Sequence, residues 1–391
     1  MNNREALTKD LEIRCSRLQK AMQAMEVEAC ILSTSVNVFY MTGMVYNGYY
    51  YLPAGGTPIH FIKRPEGIAF ENTIYIRKPE QITEELQSRG ISLPRTLLLE
   101  IDVLSFGECT RLMGTFNITK AANASTLMRK IRSVKTDFEL EQVRACARKH
   151  EVVYKLIPSV YKPGMTDIEL QIEIEKLMRL HGSMGIFRSY GDNMDIYMGS
   201  LLAGENAEAP SPYDYALGGA GSSPTLPLGA SGKRIEKGQT IMVDMAGNYS
   251  PWMTDMTRVF SVGKTLDIAY RAHQVSIDIH NHIMDIAKPG TGCAELYNIS
   301  MEMVVKNNLE SYFMGTKQQA KFVGHGLGLE INEPPVLTPR SKELLEKNIV
   351  FALEPKFVIP EVGAVGIENT YVVTETGIEK LTILEEEIIE L

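Results

Sequence analysis

Apolar and polar positions alternate most clearly in two runs of the second half of the chain. Residues 241–258, IMVDMAGNYSPWMTDMTR, predict two strands around the turn residues Asn248, Ser250 and Pro251. A hairpin symmetric about positions 249 and 250 sets Asp244 opposite Asp255, with Cβ atoms roughly 5 Å apart. The runs IVFALEPKFVIP (349–360) and GAVGIENTYVVTETG (363–377) repeat the pattern, with the turn from Pro360 to Gly363 and Glu354 facing Glu368.

Helical spacing governs other stretches. Leu11, Leu18, Met22 and Met25 predict a helix over 11–27. Helices are also predicted near 79–89 and 105–114, from a cap at Thr136 or Asp137, over 166–182 from Thr166-Asp167, and over 267–287 and 292–308. Strands are predicted at Ala29–Leu32, 59–63, 67–71 and 96–102, with an apolar segment Val38–Met41 ending at Gly43. Tyr46, Tyr49, Tyr50 and Tyr51 read as a Gly/Pro-flanked loop, either packed locally or forming a rim over a site. Strands alternating with helices make the first part an α/β domain. Residues 133–136 mark a joint, so the domains are taken as 1–131 and 132–391. Residues 200–232, rich in Gly, Ala, Ser and Pro, read as a long loop lining a site.

The 391 residues carry a formal charge of -8, which disfavours nucleic-acid and anionic-membrane surfaces. Five scattered cysteines without a C-x-x-C pair point to a reducing compartment. The charged N-terminus has no apolar core of a signal peptide, and no run reaches the roughly 18 apolar residues of a membrane helix. The expected location is the cytoplasm.

Aspartate is depleted from strand interiors, and facing carboxylates repel unless a proton or cation joins them. One such pair fits a solvated surface hairpin as readily as a metal site. Two pairs in apolar surroundings favour cations, because four buried carboxylates do not stay ionised alone. His325, between Gly324 and Gly326, sits where the backbone approaches a ligand or another strand.

The motifs V-D around Asp244, D-M-T-R at 255–258, G-H-G-L-G-L-E at 324–330, E-P at 354–355 and G-I-E-N-T at 366–370 resemble the pita-bread metallopeptidases. That group includes methionine aminopeptidase, prolidase, aminopeptidase P and creatinase. The NVFYMTG segment and the MRKIRSVKTDFELEQVR joint resemble the two-domain Xaa-Pro peptidase branch. The resemblance implies an α+β fold: a C-terminal pita-bread domain behind a smaller α/β creatinase-like domain. It implies two divalent metal ions, with Asp244 on one, Asp255 and Glu368 bridging, and His325 and Glu354 completing the other. The hard, oxygen-rich set suits manganese or cobalt, with zinc and iron as alternatives. Glu354 would also carry a proton to the leaving nitrogen.

Three accessory positions depart from the family pattern. Asn332 stands where the His-Glu-x-Pro histidine is usual, residues 226–229 contain no histidine, and Gly366 replaces an arginine. Asn332 still donates a hydrogen bond but moves no proton. Tyr213, Asp214, Arg188 and Tyr50 are the candidate substitutes for holding substrate. The resulting expectation is a metal-dependent hydrolase cleaving Xaa-Pro peptides as a homodimer, with Glu354 and Asn332 catalytic. The alternatives are a hydrolase or lyase of a non-peptide metabolite, and a non-catalytic binding protein.

Overall fold

In a computed structural model, residues 3–191, 196–213 and 216–391 are described. Contact density divides the chain into two compact units, Met1–Arg132 and Ser133–Leu391.

The first unit runs α1 (Asn3–Ala24), β1 (Ala29–Leu32), α2 (Ser35–Thr42), β2 (Asn47–Pro53), β3 (Ile59–Arg64), β4 (Thr73–Tyr75), α3 (Glu80–Ser88), β5 (Leu97–Leu99), α4 (Phe106–Thr115), β6 (Ala122–Asn123) and α5 (Ala124–Ser133). Its sheet has the order β4-β3-β2-β1-β5-β6, antiparallel between β1, β2 and β3 and parallel elsewhere. The apolar segment Val38–Met41, to which the sequence pattern assigns no element, lies in a helix, because Thr34 caps Asn37 N–H and Gly43 closes the end at φ 74°. Two local predictions are corrected. Residues 67–71 form no strand; the edge strand comes later, at 73–75. Of the tyrosines read as a loop, Tyr49, Tyr50 and Tyr51 lie in strand β2, flanked by β1 and β3, and Tyr46 just precedes it. Tyr50 is only 1% exposed, so it is core rather than a rim residue that could touch substrate. Tyrosine runs favour strands, and here that preference overrides the flanking Gly48 and Pro53.

In the second unit, α6 (Asp137–Val160) and α7 (Asp167–Leu180) each start at a full capping box, Thr136 with Glu139 and Thr166 with Glu169. They are followed by β7 (Gly199–Ala203), β8 (Thr240–Gly247), β9 (Thr254–Ser261), α8 (Asp267–Ile286) and α9 (Cys293–Lys306). The last third supplies β10 (Gly324–Gly326), β11 (Glu333–Val336), β12 (Val350–Leu353), β13 (Lys356–Ile359), β14 (Gly363–Gly366), β15 (Asn369–Val373), β16 (Ile378–Lys380) and β17 (Ile389–Glu390). The sheets are β17-β9-β8-β7, β11-β10-β12-β15-β16, and the pair β13-β14. Strand alternation sends Ile241, Val243 and Met245 into a cluster with Cys146, Val153 and Tyr154 of α6. Met242 and Val259 face the larger cluster built on α8, α9 and β12 to β15. Asp244 and Asp255 share that second face by parity. Among the described residues, no helix is long and apolar enough to cross a membrane.

Candidate metal centre

The β8–β9 hairpin pairs Asp244 with Thr257 and Ala246 with Asp255. The turn centre therefore lies between 250 and 251, and the aspartates are diagonal neighbours rather than directly opposed. Every partner moves by two, which preserves side-chain parity, so both acids still face the same way. The turn is shaped by Ser250, whose hydroxyl donates to Trp252 O at 2.7 Å, and by Trp252, whose indole donates to Glu139 Oε1 at 3.2 Å.

The second hairpin keeps the predicted register. Lys356 pairs with Gly366 on one side, and Leu353 pairs with Asn369 on the other. Between these ladders the pairing breaks at Glu354-Pro355 and Ile367-Glu368. Pro355 has no N–H to offer. The freed main-chain groups are met by side chains. Ser276 donates to Pro355 O at 2.6 Å and accepts from Ile367 N at 3.0 Å. His280 lies 3.1 Å from Ile367 O and 2.7 Å from the Tyr371 hydroxyl, so it is a buried brace. Buried Arg258 donates to Thr257 O, Glu368 O and Asn369 Oδ1 at 2.8–2.9 Å.

Two links draw the elements together. Thr257 and Glu368 exchange main-chain hydrogen bonds of 3.3 Å, joining the hairpins. Strand β10 lies between β11 and β12 and pairs His325 with Ala352, one residue from Leu353. Its glycines serve those strands: a Cβ at Gly324 would meet Ala352 O at 2.2 Å, and one at Gly326 would meet Pro334 O at 2.0 Å.

The structure brings the five expected ligands together and adds a residue that sequence reasoning missed. Lys356, 1% exposed, donates from Nζ to Asp244 Oδ2 at 2.9 Å, Glu354 Oε2 at 2.8 Å and Glu368 Oε2 at 2.8 Å. The signal was available. Position 356 shares strand parity with Glu354 in an otherwise apolar run, and a buried lysine needs acids as much as buried acids need a cation.

The other glutamate oxygens face His325. Its Nε2 is 3.2 Å from Glu354 Oε1, 3.9 Å from Asp255 Oδ2 and 4.0 Å from Glu368 Oε1. Its Nδ1 lies 3.1 Å from Gly326 O. Donation to that carbonyl leaves Nε2 facing three carboxylates, an arrangement that calls for a proton or a metal ion there. Among the described residues, Glu368 Oε1 is buried without a hydrogen-bond partner. Asp255, His325 and Glu368 each offer a ligand atom within 4.8 Å of the others. An orphaned carboxylate oxygen beside an imidazole and a second acid is a donor set that fits a divalent ion.

Electrostatics divide the acids. Burial, then repulsion from Glu354, pushes Glu368 up to about 8. Burial together with Glu368 and Asp244 pushes Asp255 well above the usual carboxylate range. Burial also opposes ionisation of Glu354, but Lys356 and His325 on either side outweigh it and hold the carboxyl at about 2. His325 is raised despite burial by its contact with Glu354. The cluster is short of positive charge on the His325 side.

A cavity of about 40 Å³ is lined by Asp244, Asp255, His325, Glu354 and Glu368, with Asn332 at its wall. It has room for little beyond an ion and a water. A larger cleft of about 430 Å³, lined by Tyr213, Leu217, Phe322 and Thr338 among others, shares Ala216 with it. Asn332 is not poised as a free catalytic donor. Its amide donates to Tyr190 O at 2.7 Å and its carbonyl accepts from Tyr190 N at 2.8 Å, so it secures the 188–190 segment. The Arg188 carbonyl accepts from Ile331 N at 2.8 Å in the same segment. Tyr213 lies in the larger cleft. Asp214 lies outside the described residues.

Comparison with known proteins places this geometry. The model of metallopeptidase family M24 matches residues 141–375, and that of the creatinase/prolidase N-terminal domain matches residues 14–134. A Xaa-Pro dipeptidase of Pyrococcus furiosus is 25% identical over 96% of this chain and 99% of its own length. Among solved structures, a Xaa-Pro dipeptidase from Bacillus anthracis superposes with a TM-score of 0.80 at 21% identity, covering 98% of this chain and all of that one. An X-Pro aminopeptidase from Thermotoga maritima gives 0.78 at 20% identity, covering 95% and 100%. The architecture is thus the two-domain one, a creatinase-like N-terminal domain followed by a pita-bread domain.

Proposed function

We propose, for a chain that belongs to metallopeptidase family M24, that it hydrolyses the Xaa-Pro bond of small peptides with a divalent metal ion held by Asp255, His325, Glu354 and Glu368. The observation that carries this reading is the unpartnered Glu368 Oε1 beside Asp255 and His325. Similarity along nearly the whole chain to a Xaa-Pro dipeptidase supports the substrate class. The oxygen-rich donors favour manganese. When bound, the ion supplies Lewis acidity, which activates water at neutral pH and polarises the scissile carbonyl.

The chain's own residues do the rest. Glu354, whose Oε2 rests on the Lys356 ammonium, takes a proton from the attacking water and returns it to the leaving nitrogen. Asn332 fixes the 188–190 segment at the wall of the small cavity. The cleft with Tyr213 and Phe322 has the volume of a small-ligand site and accommodates the peptide. The relatives lend no support to a non-peptide substrate, and an intact acid cluster argues against a non-catalytic binding protein.

The test is hydrolysis of Xaa-Pro dipeptides and longer Xaa-Pro-Xaa peptides by protein stripped with a chelator and resupplied with manganese. Cleavage that returns with the metal is the expected result. Full metal occupancy without cleavage of any proline peptide would reject the reading.

A further inference from the structure

We infer that this centre holds a single divalent ion and that the Lys356 ammonium serves as its second, built-in cation. The inference rests on the reading above that the His325 side binds a metal. Its observation is the way the acids divide their oxygens. Glu354 and Glu368 each send Oε2 to Lys356 and turn Oε1 towards His325. The carboxylates therefore bridge two cation positions, and the chain itself fills one of them.

The filled position is closed to a metal ion for three reasons. An ammonium has three protons to donate, and Asp244, Glu354 and Glu368 take one each. A divalent ion bonds carboxylate oxygen at about 2.0–2.2 Å, so an ion on Asp244 Oδ2 and Glu368 Oε2 would overlap a nitrogen already 2.8–2.9 Å from both. The lysine also has no cheap way out. Position 356 is pinned in register against Gly366, where a Cβ would come within 2.9 Å of Lys356 Cα. Displacing the side chain would leave an unpaired charge in the core.

Charge agrees with this count. Four carboxylates face one ammonium; one divalent ion leaves a single excess negative charge, whereas a second would make the buried cluster positive. The arrangement departs from the two ions that the family resemblance implies. Lys356 supplies charge but no open coordination position, so Lewis acidity is confined to the His325 side.

The test counts metal in the full-length protein after chelation, reloading with manganese and removal of free ion. Elemental analysis should give one equivalent per chain, and electron paramagnetic resonance should show an isolated manganese signal without exchange coupling. Lys356→Ala should raise the count to two and introduce the coupled signal. Two equivalents or a coupled pair in the unsubstituted protein would overturn the inference and leave the peptidase reading standing. A count that stays at one in a folded Lys356→Ala protein would also overturn it, because the ammonium would not be what excludes the second ion. No bound metal in the unsubstituted protein would defeat the metal-dependent reading itself. The unsubstituted protein decides the question even if the variant does not fold.

Discussion

Two buried acid sites in this molecule differ in how they are satisfied. Glu100 in the first unit is fully buried, yet neutral donors surround it. Its Oε2 accepts from Ser33 N at 2.6 Å and Thr34 N at 2.9 Å, and its Oε1 accepts from Asn37 Nδ2 at 2.7 Å and from the Thr34 hydroxyl. Glu368 in the second unit has Thr257 and Lys356 on one oxygen and, among the described residues, no hydrogen-bond partner on the other, which His325 Nε2 approaches only to 4.0 Å. Burial alone therefore does not identify a metal ligand. A carboxylate whose lone pairs are met by N–H and O–H groups is a structural clamp; one left with an oxygen aimed at other acids is a site for a cation.

The largest test of this contrast exchanges the acid for its amide at both places. Glu368→Gln should lower metal affinity by more than the ~10–100-fold typical of outer-sphere partners, with peptidase activity falling alongside it in a combined metal-binding and rate assay. Glu100→Gln should leave metal content unchanged. Its added N–H₂ group would face donors, and urea unfolding should report a loss of about 1–3 kcal/mol. Equal effects of the two substitutions on metal binding would erase the distinction.

The next effect concerns stability without metal. Lys356→Met keeps the bulk of the side chain but removes its charge, leaving Asp244, Glu354 and Glu368 without their shared cation. Removing one partner of a buried pair costs ~3–5 kcal/mol, so chelated protein should unfold at markedly lower urea concentration, and added manganese should restore more of the loss than it adds to the unsubstituted protein. A smaller change is expected of Asn332→Ala, which cuts both hydrogen bonds to Tyr190. It should raise KM for peptide while sparing metal content, as equilibrium metal binding and steady-state rates will separate.

The last effect lies in the first unit and is confined to acidic pH. Burial lowers His60 from 6.5 to about 4. The unfolded chain then binds more protons than the folded one between those values, so stability falls as pH drops from about 6.5 to 4 and is unaffected by this group above that window. His60→Gln should flatten that part of the stability profile, read by urea unfolding at each pH.

Much of the site was legible because strand parity is robust. Asp244 and Asp255 are assigned to one face correctly although the turn centre is off by one, since the partner shift of two conserves facing. The Glu354–Glu368 register follows from the turn, where Glu361 takes the left-handed φ of 65°. Helix starts at Thr136 and Thr166 were readable from capping chemistry, which is local. What failed depended on tertiary surroundings. Tyr50 reads as a loop residue until β1 and β3 are seen to flank its strand. Asn332 reads as a donor until its amide is found on Tyr190. Lys356 draws no reading at all, because the three acids that need it converge from two hairpins only in the folded chain.

Crystals grown with manganese and measured at a wavelength where that element scatters anomalously would test the account most directly. It predicts one anomalous peak among Asp255, His325, Glu354 and Glu368, with Lys356 Nζ still on Asp244. Two peaks sharing the acids, or an acid cluster intact with no peak, would contradict it.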